Sequence, residues 1–384
     1  MKLYLDNAAT SFPKPPSVYN DMITFMKDNG SSPGRGSYTN AIESSKLVLQ
    51  CREALCELFN FPKSENVIFT SNITHSLNIL LRGSLNKGDH VITSSMEHNS
   101  VLRPLHELKD SLGIELDILQ CDINGLISVE DFKKLIKPNT KLAVFTHSSN
   151  IVGTIEPLES MGEICKNNHI YFIADMAQSA GAIDVDFEKL NLSALAFTGH
   201  KSLLGPQGIG GFLLTDEFNN HCHSIFSGGT GSASSELIQP DFLPDKFESG
   251  TLNTPGIVGL YSGIKFILKE GLTSIENKKQ LLNSLLIEGL CNMDDVIFYG
   301  FKDSSLRTSA ISLGFKDRDI SEVAYLLDSQ FGIMTRTGLH CAPLAHKTIG
   351  TYPFGTLRLS PGYFNDEKDI AYTLDSIYKI LRRR

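Results

Sequence analysis

The chain brings a histidine and a lysine to the end of an apolar run, in Leu195-Ala-Phe-Thr-Gly-His-Lys201. A buried, unpaired ammonium is expensive. Such a lysine is therefore either a solvated turn residue or a chemical handle. Three other stretches bear on the choice. Ile170-Tyr-Phe-Ile-Ala-Asp175 ends an apolar run in an acid, with Gln178 close behind. Phe69-Thr-Ser-Asn-Ile-Thr74 leads from a strand-like run into a helical stretch through small hydroxylated residues. A helix start offers free N–H groups and a positive dipole end, which suit a phosphate. Ser94-Ser-Met-Glu-His98-Asn99 ends another run in a histidine. A phosphate cradle, an acid and a strand-end lysine together point to pyridoxal 5'-phosphate. That cofactor needs a lysine for its Schiff base and an acid against its ring nitrogen.

The elements that must position these residues follow from the apolar pattern. Residues 67–69, 90–92, 114–116, 142–145, 170–173 and 195–197 read as strands. Helical stretches lie between most of them. From Asn40 to Asn60, for example, Val48, Cys51, Leu55 and Leu58 form a stripe at helical period. This alternation predicts an α/β fold with a mostly parallel sheet flanked by helices. In such a sheet, ligands sit beyond the carboxyl ends of the strands, which is where Asp175, His98 and Lys201 fall. After Pro255 the texture changes. Two helices are expected over 256–272 and 274–292, then strands at 296–298, 310–313 and 356–359, then a closing helix with Ile370, Leu374, Ile377 and Leu381 on one face. The division this predicts is a large α/β domain over 13–255 and a smaller α+β domain over 256–384 that also takes in 1–12.

Composition excludes several classes. A formal charge of −8 argues against nucleic acid or an anionic membrane as the main partner. No 18-residue apolar run suggests a transmembrane helix, and the start turns polar too early for a signal peptide. The terminal Arg382-Arg-Arg384 reads as favourable charge at a helix C-terminus. Seven scattered cysteines without a CxxC pair suggest neither a disulfide framework nor a thiol-rich metal site. A reduced cytoplasm and no metal are expected. His221-Cys-His223 is a weak metal candidate for lack of spaced partner ligands.

Longer blocks carry a resemblance. Tyr4-Leu-Asp-Asn-Ala-Ala-Thr10, "MEHNS" (96–100), "HSSNIVGT" (147–154), "ADMAQSAGA" (174–182), "TGHKSLLGPQGIG" (198–210), "FESGTLNTPG" (247–256) and "RTGLHCAP" (336–343) resemble, in order, the blocks of the class V aminotransferase-fold enzymes. Within these the chain is most similar to the cysteine desulfurase group, type II branch, which also holds selenocysteine lyase-like members. The resemblance implies a fold type I, pyridoxal phosphate-dependent transferase and a homodimer with shared active sites. It implies that Lys201 forms the Schiff base, Asp175 pairs with the ring nitrogen, Gln178 meets the ring hydroxyl, and His98 stacks on the ring and aids proton transfer. Thr74, Thr198 and His200 would hold the phosphate, joined by Thr251 from the neighbouring subunit. Asn150 and Arg358 would hold the substrate carboxylate, with Arg336 and His340 beside them. "FSGGTGSASSE" (226–236) falls where type II members carry a hairpin near the partner's active site, and its Gly/Ser content suggests a flexible loop.

Pyridoxal chemistry alone needs no thiol. Cys51, Cys56, Cys165 and Cys291 sit on helical patterns and read as structural. Cys341 differs, lying between a predicted strand and a Pro-rich loop; Arg336 and His340 can lower its thiol pKa if they lie close, and His340 reads equally as an acid–base group or as a residue that only supports the site. The expected reaction is conversion of L-cysteine to L-alanine, with sulfur passed to Cys341 as a persulfide and on to an acceptor protein. Selenocysteine lyase and cysteine sulfinate desulfinase are the alternatives on the same scaffold.

Overall fold

The computed structural model describes residues 2–34, 36–233 and 235–382. Arg383 and Arg384 of the terminal basic cluster lie outside them. The strands in chain order are β1 (Leu3–Tyr4), β2 (Val67–Thr70), β3 (His90–Ser94), β4 (Glu115–Leu119), β5 (Thr140–Thr146), β6 (Tyr171–Asp175), β7 (Ala194–Thr198), β8 (Gly210–Leu214), β9 (Val296–Tyr299), β10 (Ile311–Phe315), β11 (Ile333–Met334), β12 (Arg336–Gly338) and β13 (Thr356–Leu359). Every apolar run read as a strand falls on one of them.

Seven strands form the main sheet in the order β2-β8-β7-β6-β5-β3-β4. The pairs from β7 through β6, β5 and β3 to β4 are parallel. β8 runs against both β7 and β2. β2, β3, β6 and β7 therefore deliver their carboxyl ends to one edge. β3 and β7 are buried along their whole length and β6 at all but its first residue, which explains their near-continuous apolar character. β8 opens on Gly210-Gly211, an unpromising start for a strand. A Cβ on Gly211 would lie 2.3 Å from the Ile68 carbonyl oxygen, so only glycine lets the sheet close there.

The second sheet, β12-β13-β10-β9, is antiparallel. β1 pairs with β11, and Asp6 bridges to Ser360. The N-terminal segment thus lies on the C-terminal unit, and Leu3 and Leu5 join that unit's core. The helix Thr254–Glu270 packs elsewhere. Ile257, Leu260, Ile264 and Ile267 enter the core of the main sheet beside Phe197 and Leu203. The boundary expected at 255 thus precedes a helix whose apolar face belongs to the large unit. The change in texture there reflected a second covering helix of the same layer.

Candidate active site

A cleft opens at the carboxyl edge of the main sheet. Thr74, His98, Asn150, Gln178, Thr198, His200, Lys201, Arg336, His340, Cys341 and Arg358 all line it, together with Ala8, Ala9, Asn72 and Ile73. Among the site residues expected from sequence, only Asp175 and Thr251 are not on its wall. Asp175 is buried at the end of β6, with Oδ1 accepting from the Ala177 N–H at 2.9 Å. Burial raises its carboxyl pKa, partly opposed by the Ala177 N–H and by Lys201. Thr251 is exposed, in the segment after Glu248. Glu248 fixes that segment by a buried pair with Arg52 (2.7 Å) and by accepting the Phe69 N–H (2.7 Å).

The polar floor of the cleft is built from strand ends. The helix Ile73–Ser84 begins just beyond β2, and Asn72 caps it by accepting from the His75 N–H at 3.0 Å. Ile73 and Thr74 line the cleft, and as first-turn residues their N–H groups have no intrahelical partner. Beside them, at the end of β7, the Thr198 hydroxyl and His200 Nδ1 are buried without a hydrogen-bond partner among the described residues. Such orphans are rare in native proteins and call for an explanation; here both line the cleft, where a ligand's acceptors or donors could meet them. Burial, Lys201 and Lys14 depress His200 to about 4, so it stands neutral. Two helix N–H groups, a hydroxyl and a neutral imidazole form a cradle for a phosphate.

Lys201 follows three residues after β7. Burial lowers its ammonium to about 8, opposed by Asp175 and reinforced by Arg358 and Arg336. The lysine thus reaches the neutral, nucleophilic form well below the usual lysine range. His98 caps the helix Asn99–Leu112, and its Nδ1 accepts the Ser100 N–H at 3.0 Å. A ring nitrogen that accepts from a backbone N–H carries no proton, so the neutral ring holds its proton on Nε2. Burial, with Lys201, Arg336, Arg103 and Arg358 nearby, depresses His98 to about 4 and keeps it in that form.

The other wall comes from the small sheet. Arg336 on β12 stands directly opposite Arg358 on β13. Two like charges facing across strands are unfavourable. Arg358 is nearly fully buried, and burial lowers its pKa. Its Nη2 pairs with Asp6 (2.8 Å), its Nη1 donates to the Asn150 carbonyl (2.9 Å), and its Nε–H is left without a partner. The Arg336 guanidinium has no hydrogen bond or ion pair among the described residues. One carboxylate for two guanidiniums leaves a site suited to a second carboxylate.

Cys341 is exposed to the cleft. It and His340 both hold left-handed backbone conformations, φ 60 and 44. Each such residue costs on the order of 1 kcal/mol or more and persists only where its surroundings impose it. Two hydrogen bonds impose it here. The Asn99 N–H donates to the Cys341 carbonyl (2.9 Å), and Asn150 Nδ2 donates to the His340 carbonyl (2.8 Å). His340 corrects one expectation. It is buried, with Nε2 on the Thr356 carbonyl (3.2 Å). Burial and the neighbouring Arg358 push its pKa down to about 2. It is neutral and lends no positive charge to the thiol.

Sequence reasoning overlooked Asp6, Asn72 and Glu97. All three were visible only as parts of quoted blocks. Glu97 is fully buried and pushed up to about 8 by burial. It accepts from the Ser94 hydroxyl and the Thr146 N–H, tying together the ends of β3 and β5. Among the described residues no group of three or more His, Cys, Asp or Glu side chains could hold a metal. At the weak His221-Cys222-His223 candidate, His221 Nε2 meets the Ser84 carbonyl, and Cys222 is buried. Among the described residues no helix is long and apolar enough to cross a membrane.

A lysine, an acid and a phosphate cradle on the parallel edge of a mixed sheet define the class, and the sequence agrees with it. Residues 3–372 match the family described as aminotransferase class-V, to which this chain belongs. Its relatives narrow the class. The chain is 31% identical to a probable cysteine desulfurase of Pyrococcus abyssi, over 99% of this chain and 94% of that protein. It is also 31% identical to cysteine desulfurase IscS of Clostridium botulinum, covering 100% of this chain and 95% of the other. Its structure matches the apo cysteine desulfurase of Thermococcus onnurineus with a TM-score of 0.92 at 31% identity, over 99% and 95% of the two chains.

Proposed function

We propose that this chain is a pyridoxal phosphate-dependent cysteine desulfurase, converting L-cysteine to L-alanine and retaining the sulfur on Cys341. The observation that carries the reading is the placement of an exposed, backbone-strained Cys341 across one cleft from Lys201 and the orphaned phosphate cradle. The residues fit the cofactor. Thr198, His200 and the start of the Ile73–Ser84 helix would hold its phosphate. Asp175 would face its ring nitrogen, Gln178 its hydroxyl and His98 its flat face. When bound, pyridoxal phosphate supplies an imine-forming carbonyl and an electron-withdrawing ring.

The protein's own groups do the rest. Arg358, with Arg336 beside it, orients the substrate carboxylate, while Asp6 and Asn150 fix the Arg358 guanidinium. Lys201 Nζ, in its neutral form, takes and returns the α-proton. Cys341 Sγ, as thiolate, attacks the substrate sulfur. The S–S bond forms as the Cβ–S bond breaks, and its electron pair stays on carbon. That carbon is protonated and the fragment leaves as alanine. The large domain contributes the cofactor groups, and the small domain contributes Arg336, Cys341 and Arg358. Thr251, exposed and off the cleft of its own chain, would serve the phosphate of a second copy in a homodimer. A reducing cytoplasm would keep all seven cysteines free.

The test is alanine and sulfide release from L-cysteine by the loaded enzyme and by Cys341→Ala. The reading requires that C341A hold the cofactor but make no alanine from cysteine. Equal turnover of selenocysteine or cysteine sulfinate by both forms, with none of cysteine, would favour a lyase or desulfinase instead.

A further inference from the structure

Cys341 lines two cavities. One is the cleft above; the other is an outer groove between the helices Ile73–Ser84 and Asn99–Leu112. Thr74, Asn78 and Arg82 form one wall at successive helical turns, and Ser100, Arg103 and Glu107 form the other. Eight residues of helix rise about 12 Å, the span of about four residues of extended chain. Cys341 closes one end of the groove, where both helices begin. Arg82 pairs with Glu107 and donates to Asn78 Oδ1, which neutralises the far end. Arg103 is exposed and has no partner among the described residues. The groove therefore holds two guanidiniums against one carboxylate. The N-terminus of the Asn99–Leu112 helix adds positive potential at the sulfur end.

Building on the desulfurase reading, we propose that this groove docks the sulfur acceptor. The acceptor is an extended polypeptide segment that carries a cysteine flanked by acidic residues, with an acid against Arg103. Its thiolate attacks the outer sulfur of the Cys341 persulfide. A new S–S bond forms on the acceptor as the old one breaks, and Cys341 leaves as thiolate. No external oxidant or reductant is needed. Sulfur enters Cys341 from the inner cleft and leaves by the outer groove, so the two substrates do not compete for space.

The test separates docking from desulfuration. Cys341 is loaded with sulfane sulfur chemically, using polysulfide. Transfer is timed to two capped pentapeptides, Gly-Asp-Cys-Asp-Gly and Gly-Lys-Cys-Lys-Gly, each rate divided by that to uncharged dithiothreitol. The acidic peptide should be favoured by up to about fivefold at low salt, the upper range for one exposed ion pair, and the preference should shrink as salt screens it. Arg103→Glu should reverse the order, Arg103→Lys should keep it, and Lys109→Glu on the same helix should leave it unchanged. An order unaltered in R103E overturns the proposal. So does 3-mercaptopropionate matching the acidic peptide in rate and in Arg103 dependence, since the groove would then serve small thiols. Failure to make alanine from cysteine would sink the desulfurase reading but leave this assay interpretable.

Discussion

Replacing Thr198 by valine separates the cofactor cradle from ordinary packing, because it predicts two effects of opposite sign. The side chains are near-isosteric, and Thr198 ends a strand that is buried along its whole length. Its hydroxyl has no partner. Burying a lone hydroxyl costs about 1–3 kcal/mol by protein mutational data, so the cofactor-free T198V protein should be more stable by up to that amount. With an unfolding entropy of about 2.1 cal/mol/K per residue, a cooperative chain of 384 residues gains about 1–4 °C in Tm. With a phosphate present the sign turns. A hydrogen bond to a charged group contributes about 1.5–3 kcal/mol, so pyridoxal phosphate should bind roughly 10- to 100-fold more weakly. Pyridoxal, which lacks the phosphate, should bind the variant and parent alike. Calorimetry on the apo forms and fluorescence titration with both vitamers read these quantities. Lower apo stability in T198V, or equal losses for the two vitamers, would refute the assignment of this hydroxyl to the phosphate.

Other predictions follow from the same electrostatics. His98, His147, His200, His340 and His346 are all depressed by burial, to about 4 or below, from an ordinary 6.5. The unfolded chain then binds more protons below pH 6.5, so stability falls as pH drops from 6.5 towards 4. Raised Glu97, Glu156 and Asp175 act in the opposite sense, losing stability as pH rises, Glu97 between 4.5 and about 8. The five histidines outnumber these three carboxyls, so Tm should decline between pH 6.5 and 5; a flat profile contradicts the neutral histidines. The rate of pyridoxal phosphate capture by the apoprotein should rise with pH and level off near pH 8, following Lys201. A rise continuing to pH 10 would mean an ordinary lysine. Glu248→Ala strands Arg52 in the interior and should cost about 3–5 kcal/mol in denaturant unfolding; a loss under about 1 kcal/mol would show the pair to be dispensable. Arg358→Lys removes the planar fork and should raise KM for cysteine far more than it lowers kcat.

The strands, their direction and the strand-end groups were legible because a parallel sheet covered on both faces writes itself as apolar runs. Lys201, Asp175 and His98 are placed by residues a few positions away, so local pattern locates them. Other features depend on contacts remote in sequence. Asp6 meets Arg358 across a separation of 352 residues, and no spacing announces it. The charge state of His340 is set by burial under Thr356 and Arg358, which reversed the role its neighbourhood in sequence suggested. The left-handed turn at His340–Cys341 is imposed by Asn99 and Asn150 from other strands' ends. The Thr254–Glu270 helix changed the texture of the chain while staying in the same core. β8 escaped notice because its opening glycines answer to the Ile68 and Phe197 backbones rather than to strand propensity.

The most direct measurement is peptide mass analysis of the loaded protein after one turnover with L-cysteine, without reductant. Alanine should appear in one-to-one ratio with the mass of one sulfur atom on the peptide holding Cys341. Cys341→Ser should gain no sulfur and release no alanine. Alanine formed at the parent rate by that variant, or sulfur found on another cysteine, would contradict the account.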